Sequence, residues 1–194
     1  LYLKGYAMTK RIILAVSGSI SAYKAADLTS RLKKKGYDVH VIMTEAAQAF
    51  ITPLTLQVLS KNPVHTDVME EKLAERINHI DLAKETDLFI VAPASANTIA
   101  KLAHGMADNM LTATALALPS TTPKLIAPAM NTKMYENPLT KKNLKTLQEV
   151  GYQEILPKSG LLACGDTGRG ALADIAVIIE SIDSALTRKG VYDE

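Results

Sequence analysis

The chain has 194 residues, 47% of them hydrophobic, a formal net charge of +2 and one cysteine. That length suits one domain with a sizeable core, and the apolar share argues against disorder. The small charge gives no argument for nucleic acid, one cysteine cannot staple the chain internally, and no apolar stretch approaches the roughly 20 residues of a membrane helix.

Leu1 to Ala7 read as a remnant ahead of a native start at Met8-Thr9-Lys10, with one domain over 8–194. No charged-then-apolar signal peptide opens the chain, so the cytoplasm is the expected location. Arg11 to Val16 (RIILAV) is a continuous apolar run, as expected of a strand buried on both faces. A small-residue turn, Ser17-Gly18-Ser19-Ile20-Ser21, leads into a helix predicted from Ala22 to Lys35 and ended by Gly36. Lys33-Lys34-Lys35 then falls at a helix end, where cations suit the dipole.

Val39 to Met43 is a second strand. Glu45 to Ser60 is helical in pattern, with Pro53 breaking or restarting it. Leu88 to Ala92 is a short buried strand that Pro93 should stop. Helices follow over Ala96–Leu102 and Asn109–Leu118, separated by Gly105. Lys124 to Ala127 is a strand ending at Pro128, Leu139 to Val150 a helix ended by Gly151, Tyr152 to Leu156 a last strand, and Ala171 to Leu186 a closing helix. Lys61–Asn78 and Pro157–Gly170 match no periodic pattern, and the second is long enough to suggest a lid or binding segment. The strand–helix alternation predicts a doubly wound α/β parallel sheet, Rossmann- or flavodoxin-like.

In such sheets ligands gather beyond the carboxyl ends of the strands. Four segments of small or hydroxyl residues fall there: Ser17–Ser21, Thr44–Ala46, Pro93–Thr98 and Pro128–Asn131. The first suits a phosphate cradle through its N–H groups, or equally an ordinary turn with a capping serine. Of four histidines, His40 lies inside a strand, and His65 and His104 have the marks of surface residues. His79 opens the helical pattern Ile80-Asp81-Leu82-Ala83, from which it could point into a site. Asn131 can bind a carboxylate or a flavin edge, or simply close its own turn. Cys164 would be an inert thiol in a core, but here it sits among Gly160, Gly165, Gly168 and Gly170, beside Asp166 and Arg169. No His/Cys/Asp spacing suits zinc.

These segments resemble the homo-oligomeric flavin-containing cysteine decarboxylases. The matching runs are SGSISAYK from Ser17, NHIDLAKETD from Asn78, PASANTIAKLAHGMADNML from Pro93, PAMNTKM from Pro128 and ACGDTGRGALAD from Ala163. The cysteine run is most similar to the branch that decarboxylates 4'-phospho-N-pantothenoylcysteine in coenzyme A biosynthesis, and the length to its stand-alone form. One departure is Tyr135, where many members carry tryptophan.

The resemblance implies noncovalent FMN held by Gly18, Ser19, Ile20, Thr44, Ser95, Ala96, Asn97, Thr98 and Ala129. It implies substrate contacts from Asn131, Met134, Ala163, Cys164, Gly165 and Asp166, under a flap over 157–172. His79 would be the active-site base, Asn131 the group on the substrate carboxylate, and Cys164 the final proton donor. It further implies a homo-oligomer, a trimer or dodecamer, with FMN at a subunit interface. The alternatives are a peptidyl-cysteine decarboxylase that stops at the enethiol, against which Cys164 argues, and a non-enzymatic flavoprotein regulatory subunit.

Overall fold

The computed structural model describes residues 9–70, 78–161 and 167–189. Strand β1 (Arg11–Val16) is the hub of a six-stranded sheet. It pairs in parallel with β2 (Asp38–Met43) on one side and β4 (Leu88–Ala94) on the other. Beyond these lie β3 (Val64–His65), and on the far side β5 (Lys124–Pro128) and β6 (Tyr152–Glu154), giving the order β3-β2-β1-β4-β5-β6. All five pairings are parallel. The doubly wound sheet predicted from the alternation is therefore the observed architecture.

The continuous apolar run of β1 has a direct cause. Ile12, Leu14 and Val16 enter one core with Leu28 and Leu32 of helix α1 (Lys24–Lys34) and Ile178 and Ile182 of α9 (Ile175–Lys189). Ile13 and Ala15 enter the opposite core. There they meet Leu82 of α4 (Asn78–Glu85), Ile99 of α5 (Ala96–Ala103), Leu111 of α6 (Met110–Leu116) and Leu144 of α8 (Pro138–Glu149). With both faces covered, every second residue must be apolar on each side, so no alternation survives in the sequence. Burying one such Ile or Leu contributes about 1.5–3 kcal/mol.

Four expectations change. β4 does not stop at Pro93 but runs on to Ala94. The pairing with β5 shifts register between Val91 and Ala94, so a residue without an N–H interrupts no regular ladder there. The first helix begins with a 3-10 turn at Ile20–Tyr23 and turns α-helical only at Lys24. The stretch from Pro157 contains an antiparallel hairpin, β7 (Lys158–Leu161) with β8 (Thr167–Ala171), so the last helix starts at Ile175 rather than Ala171. Pro53 restarts a helix as expected, dividing α2 (Glu45–Gln48) from α3 (Pro53–Ser60). The remaining short helix is α7 (Thr132–Glu136).

Tyr135 has a complete account. Only 2% of it is exposed, and its hydroxyl donates to Glu154 Oε1 at 2.8 Å. Burial, with the Glu154 hydrogen bond, pushes the phenol's pKa up. The Lys141 ammonium lies 3.5 Å from the ring centroid. A tyrosine thus fills this core position with its polar tip paired.

Candidate functional site

The strand order reverses between β1 and β4, and a cleft opens where such a switch should place one. Its volume is about 460 Å³. Gly18, Ser19 and Ile20 line it from the turn after β1, Ser95 and Ala96 from the turn after β4, and Ala129, Asn131 and Met134 from the turn after β5. Gly170 and Ala171 of the hairpin close a fourth side.

The turns are bonded to one another. The fully buried Ser17 hydroxyl donates to Pro93 O at 2.8 Å and accepts from Ser95 N at 2.8 Å. Ser17 N also donates to Pro93 O, at 3.2 Å. Ala129 N donates to Ala94 O at 3.0 Å, and Thr44 N to Val16 O at 3.0 Å. The hairpin is seated by glycine: a Cβ on Gly170 would stand 2.3 Å from Met130 O, and one on Gly168 would stand 2.6 Å from Thr132 Oγ1. Met130 N accordingly reaches Gly170 O at 2.9 Å. Gly18 answers a similar demand, because its Cβ would fall 2.6 Å from Ala46 Cβ.

The donor set suits an anion at one end. The N–H groups of Gly18, Ser19 and Ile20 have no acceptor among the described residues, and Ser19 Oγ accepts from Ser21 N at 3.2 Å. Apolar side chains on the rim face solvent: Ile20, Tyr23 and Met134 are each at least half exposed. A phosphate on a flat, partly apolar body fits this division.

Not every expected residue reaches the cleft. Thr44 caps α2, accepting from Ala47 N at 3.2 Å, and is outside the lining. Thr98 is buried, its hydroxyl 3.2 Å from Ser95 Oγ, and Asn97 faces solvent beside it. Asn131 Oδ1 accepts from Lys133 N at 2.8 Å, so the side chain caps α7 at the cleft's edge. His79 lies in the first turn of α4, against the opposite core; its Nδ1 is buried and makes no hydrogen bond among the described residues. Ala163, Cys164, Gly165 and Asp166 lie outside the described residues. Gly170 and Ala171 line the cleft from within the expected flap and Met130 from within the expected turn, whereas Tyr23 and Lys24 line it without having been expected there. The glycines at 168 and 170, one strand repeat apart, were the available signal for backbone contact.

The sequence model of the Flavoprotein family matches residues 4–187. A probable phosphopantothenoylcysteine decarboxylase of Streptococcus mutans is 64% identical over 92% of this chain and 100% of its own length. The chain belongs to the flavoprotein family, among the phosphopantothenoylcysteine decarboxylases. It is 50% identical to the coenzyme A biosynthesis bifunctional protein CoaBC of Bacillus subtilis, over 88% of this chain but 42% of that protein. Among solved structures, a cysteine-to-serine mutant of PPC decarboxylase complexed with pantothenoylaminoethenethiol superposes with TM-score 0.83 at 35% identity, covering 91% of this chain and 97% of the other. The FMN-dependent cysteine decarboxylase SpaF does so with TM-score 0.81 at 31% identity, covering 93% and 97%. No helix among the described residues is long and apolar enough to cross a membrane.

Proposed function

We propose that this chain catalyses the FMN-dependent decarboxylation of 4'-phospho-N-pantothenoylcysteine to 4'-phosphopantetheine in coenzyme A biosynthesis. The observation that carries the reading is the cleft at the strand-order switch, lined by the very turns that hold the family's motifs and closed by the hairpin that flanks the cysteine run. Gly18, Ser19 and Ile20 would hold the FMN phosphate through their N–H groups, with Ser95, Ala96 and Ala129 along its body. Thr44, Asn97 and Thr98 support those turns from behind and from the side rather than from the lining.

The chemistry asks for these parts in order. A cysteine carboxylate has nowhere to place the electrons left by departing CO2. FMN, when bound, supplies a two-electron acceptor that returns the hydride later, so the overall reaction has no net redox change. With the substrate's CH2–SH raised to a thioaldehyde, the carboxylate is β to a C=S that can accept those electrons. His79 takes the thiol proton. Asn131 and Met134 bind the carboxylate end without a cation that would oppose CO2 loss. Cys164, beside Ala163, Gly165 and Asp166 on the 157–172 flap, protonates carbon as the enethiol is reduced to the saturated product.

His79 is not among the residues lining its own chain's cleft, which supports a homo-oligomer, a trimer or dodecamer, in which it serves a neighbouring copy. On this reading the protein works in the cytoplasm. Incubation with phosphopantothenoylcysteine, followed by product mass, tests the activity. Phosphopantetheine is expected, and absence of CO2 release from a yellow protein would overturn the reading in favour of a regulatory role. Cys164→Ser should yield product two mass units lighter; unchanged phosphopantetheine at the wild-type rate would refute the proton-donor role. Mixing inactive His79→Ala and Asn131→Ala chains, unfolded and refolded together, should restore activity. No restoration would refute the shared site.

A further inference from the structure

A second cavity, of about 410 Å³, lies at the other end of β5 from Ala129. Four of its walls are apolar: Leu102 from the end of α5, Met106 from the loop after it, Leu116 from the end of α6, and Val150 from the end of α8. Met106, Leu116 and Val150 are 45%, 62% and 57% exposed, which is unusual for three large side chains around one hollow.

Besides the Thr112 and Ser120 hydroxyls, two larger polar side chains line the cavity. Lys124 lines the cavity and makes no hydrogen bond or ion pair among the described residues; its only close polar relation is to the Tyr152 ring, 5.7 Å from the ammonium. Burial, with no anion to offset it, lowers its pKa. Tyr152 lines the same cavity and is 8% exposed, and its hydroxyl also has no hydrogen-bond partner among the described residues. Burial alone raises its pKa. A half-buried cation without an anion and a tyrosine hydroxyl that keeps access to the same hollow leave two donors open to an occupant.

We infer that this cavity is a second ligand site, separate from the flavin cleft, for a small amphiphilic monocarboxylate whose carboxylate meets Lys124 and Tyr152 and whose hydrocarbon lies on Leu102, Met106, Leu116 and Val150. One ammonium and one hydroxyl donor match the charge and acceptor count of a single carboxylate. The apolar walls exclude a small hydrophilic anion as the preferred occupant. Convergent polar groups in a largely apolar hollow of this size are the general form of a small-molecule site. α5 links the two sites physically, with Ala96 at the cleft and Leu102 at the cavity.

Octanoate is a suitable probe, titrated by calorimetry into the FMN-loaded protein at neutral pH, with octanol as the uncharged control. Saturable octanoate binding is expected, unaffected by substrate in the cleft. Lys124→Met should weaken it about tenfold or more, Lys124→Arg should largely retain it, and Tyr152→Phe should weaken it by a smaller factor, each a readable shift in Kd. Octanol should not distinguish wild type from Lys124→Met. Absence of saturable binding in wild type overturns the proposal, as does equal octanoate affinity in wild type and Lys124→Met. Octanoate that competes with protein self-association, seen by analytical ultracentrifugation, would show another copy of the chain to be the occupant and equally overturn it.

Discussion

Ser17→Ala isolates what ties the cleft together. The hydroxyl is fully buried, donates to Pro93 O and accepts from Ser95 N. Pro93 O keeps the Ser17 N–H at 3.2 Å, so it is not orphaned by the change. Ser95 N loses its only acceptor among the described residues. One lost neutral hydrogen bond costs about 0.5–1.5 kcal/mol and one stranded N–H about 1–3 kcal/mol, giving roughly 1.5–4.5 kcal/mol together. For a domain of this size that is a fall of about 3–18 °C in Tm. The two turns that would hold FMN are the ones released, so FMN affinity should fall as well. Thermal melts of apoprotein read the first effect, and flavin fluorescence titration reads the second. A Tm within about 1 °C of wild type, with unchanged FMN affinity, would refute the account of Ser17 as the link between the turns.

Gly170→Ala places a methyl against Met130 O and should unseat the hairpin, lowering kcat/KM at least about tenfold while costing the core little; faster proteolysis within 158–171 would accompany it. Tyr135→Phe keeps the packed ring and loses the bond to Glu154, an expected cost of about 1 kcal/mol by denaturant melts. Burial would raise the Asp38 carboxyl, but hydrogen bonds from Asn62, His40 and Arg11 outweigh it and hold the pKa down at about 2. A depressed carboxyl pKa stabilises the fold above the ordinary value of 3.8, and that stability drains away as pH falls toward 2. Asp38→Asn should therefore flatten the pH dependence of stability between those values, by roughly 1 kcal/mol after allowance for solvent screening.

The elements that were legible in sequence are those whose stability comes from their own burial. RIILAV and LFIVA announce themselves because both faces of β1 and β4 meet a core. The hairpin was not legible for the converse reason. Lys158-Ser159-Gly160-Leu161 and Thr167-Gly168-Arg169-Gly170 carry no apolar period, and what seats the second on the sheet is contact of Gly168 and Gly170 with Thr132 and Met130, distant in the chain. Pro93 misled because the rule it obeys concerns regular ladders, and the pairing there is irregular.

The site divides along the same line. Hydrophobic runs tell where a strand ends, and so which turns lie at the ligand edge of the sheet; Gly18, Ser19, Ser95, Ala129 and Asn131 follow from that alone. They do not tell toward which face a turn opens. Thr44 and His79 lie beside strand ends or helix starts and still miss the cleft, one folded into its own cap and the other on a helix that packs on the far side of the sheet. Gly18 shows how two demands share one residue. Its position suggests backbone approach to a ligand, yet Ala46 would exclude a side chain there with no ligand present. Substituting Gly18 therefore cannot by itself diagnose phosphate binding, because the fold would register the change first. Ser19 offers no simpler test, because its side chain caps only the adjoining 3-10 turn and substituting it leaves the turn's backbone N–H groups in place.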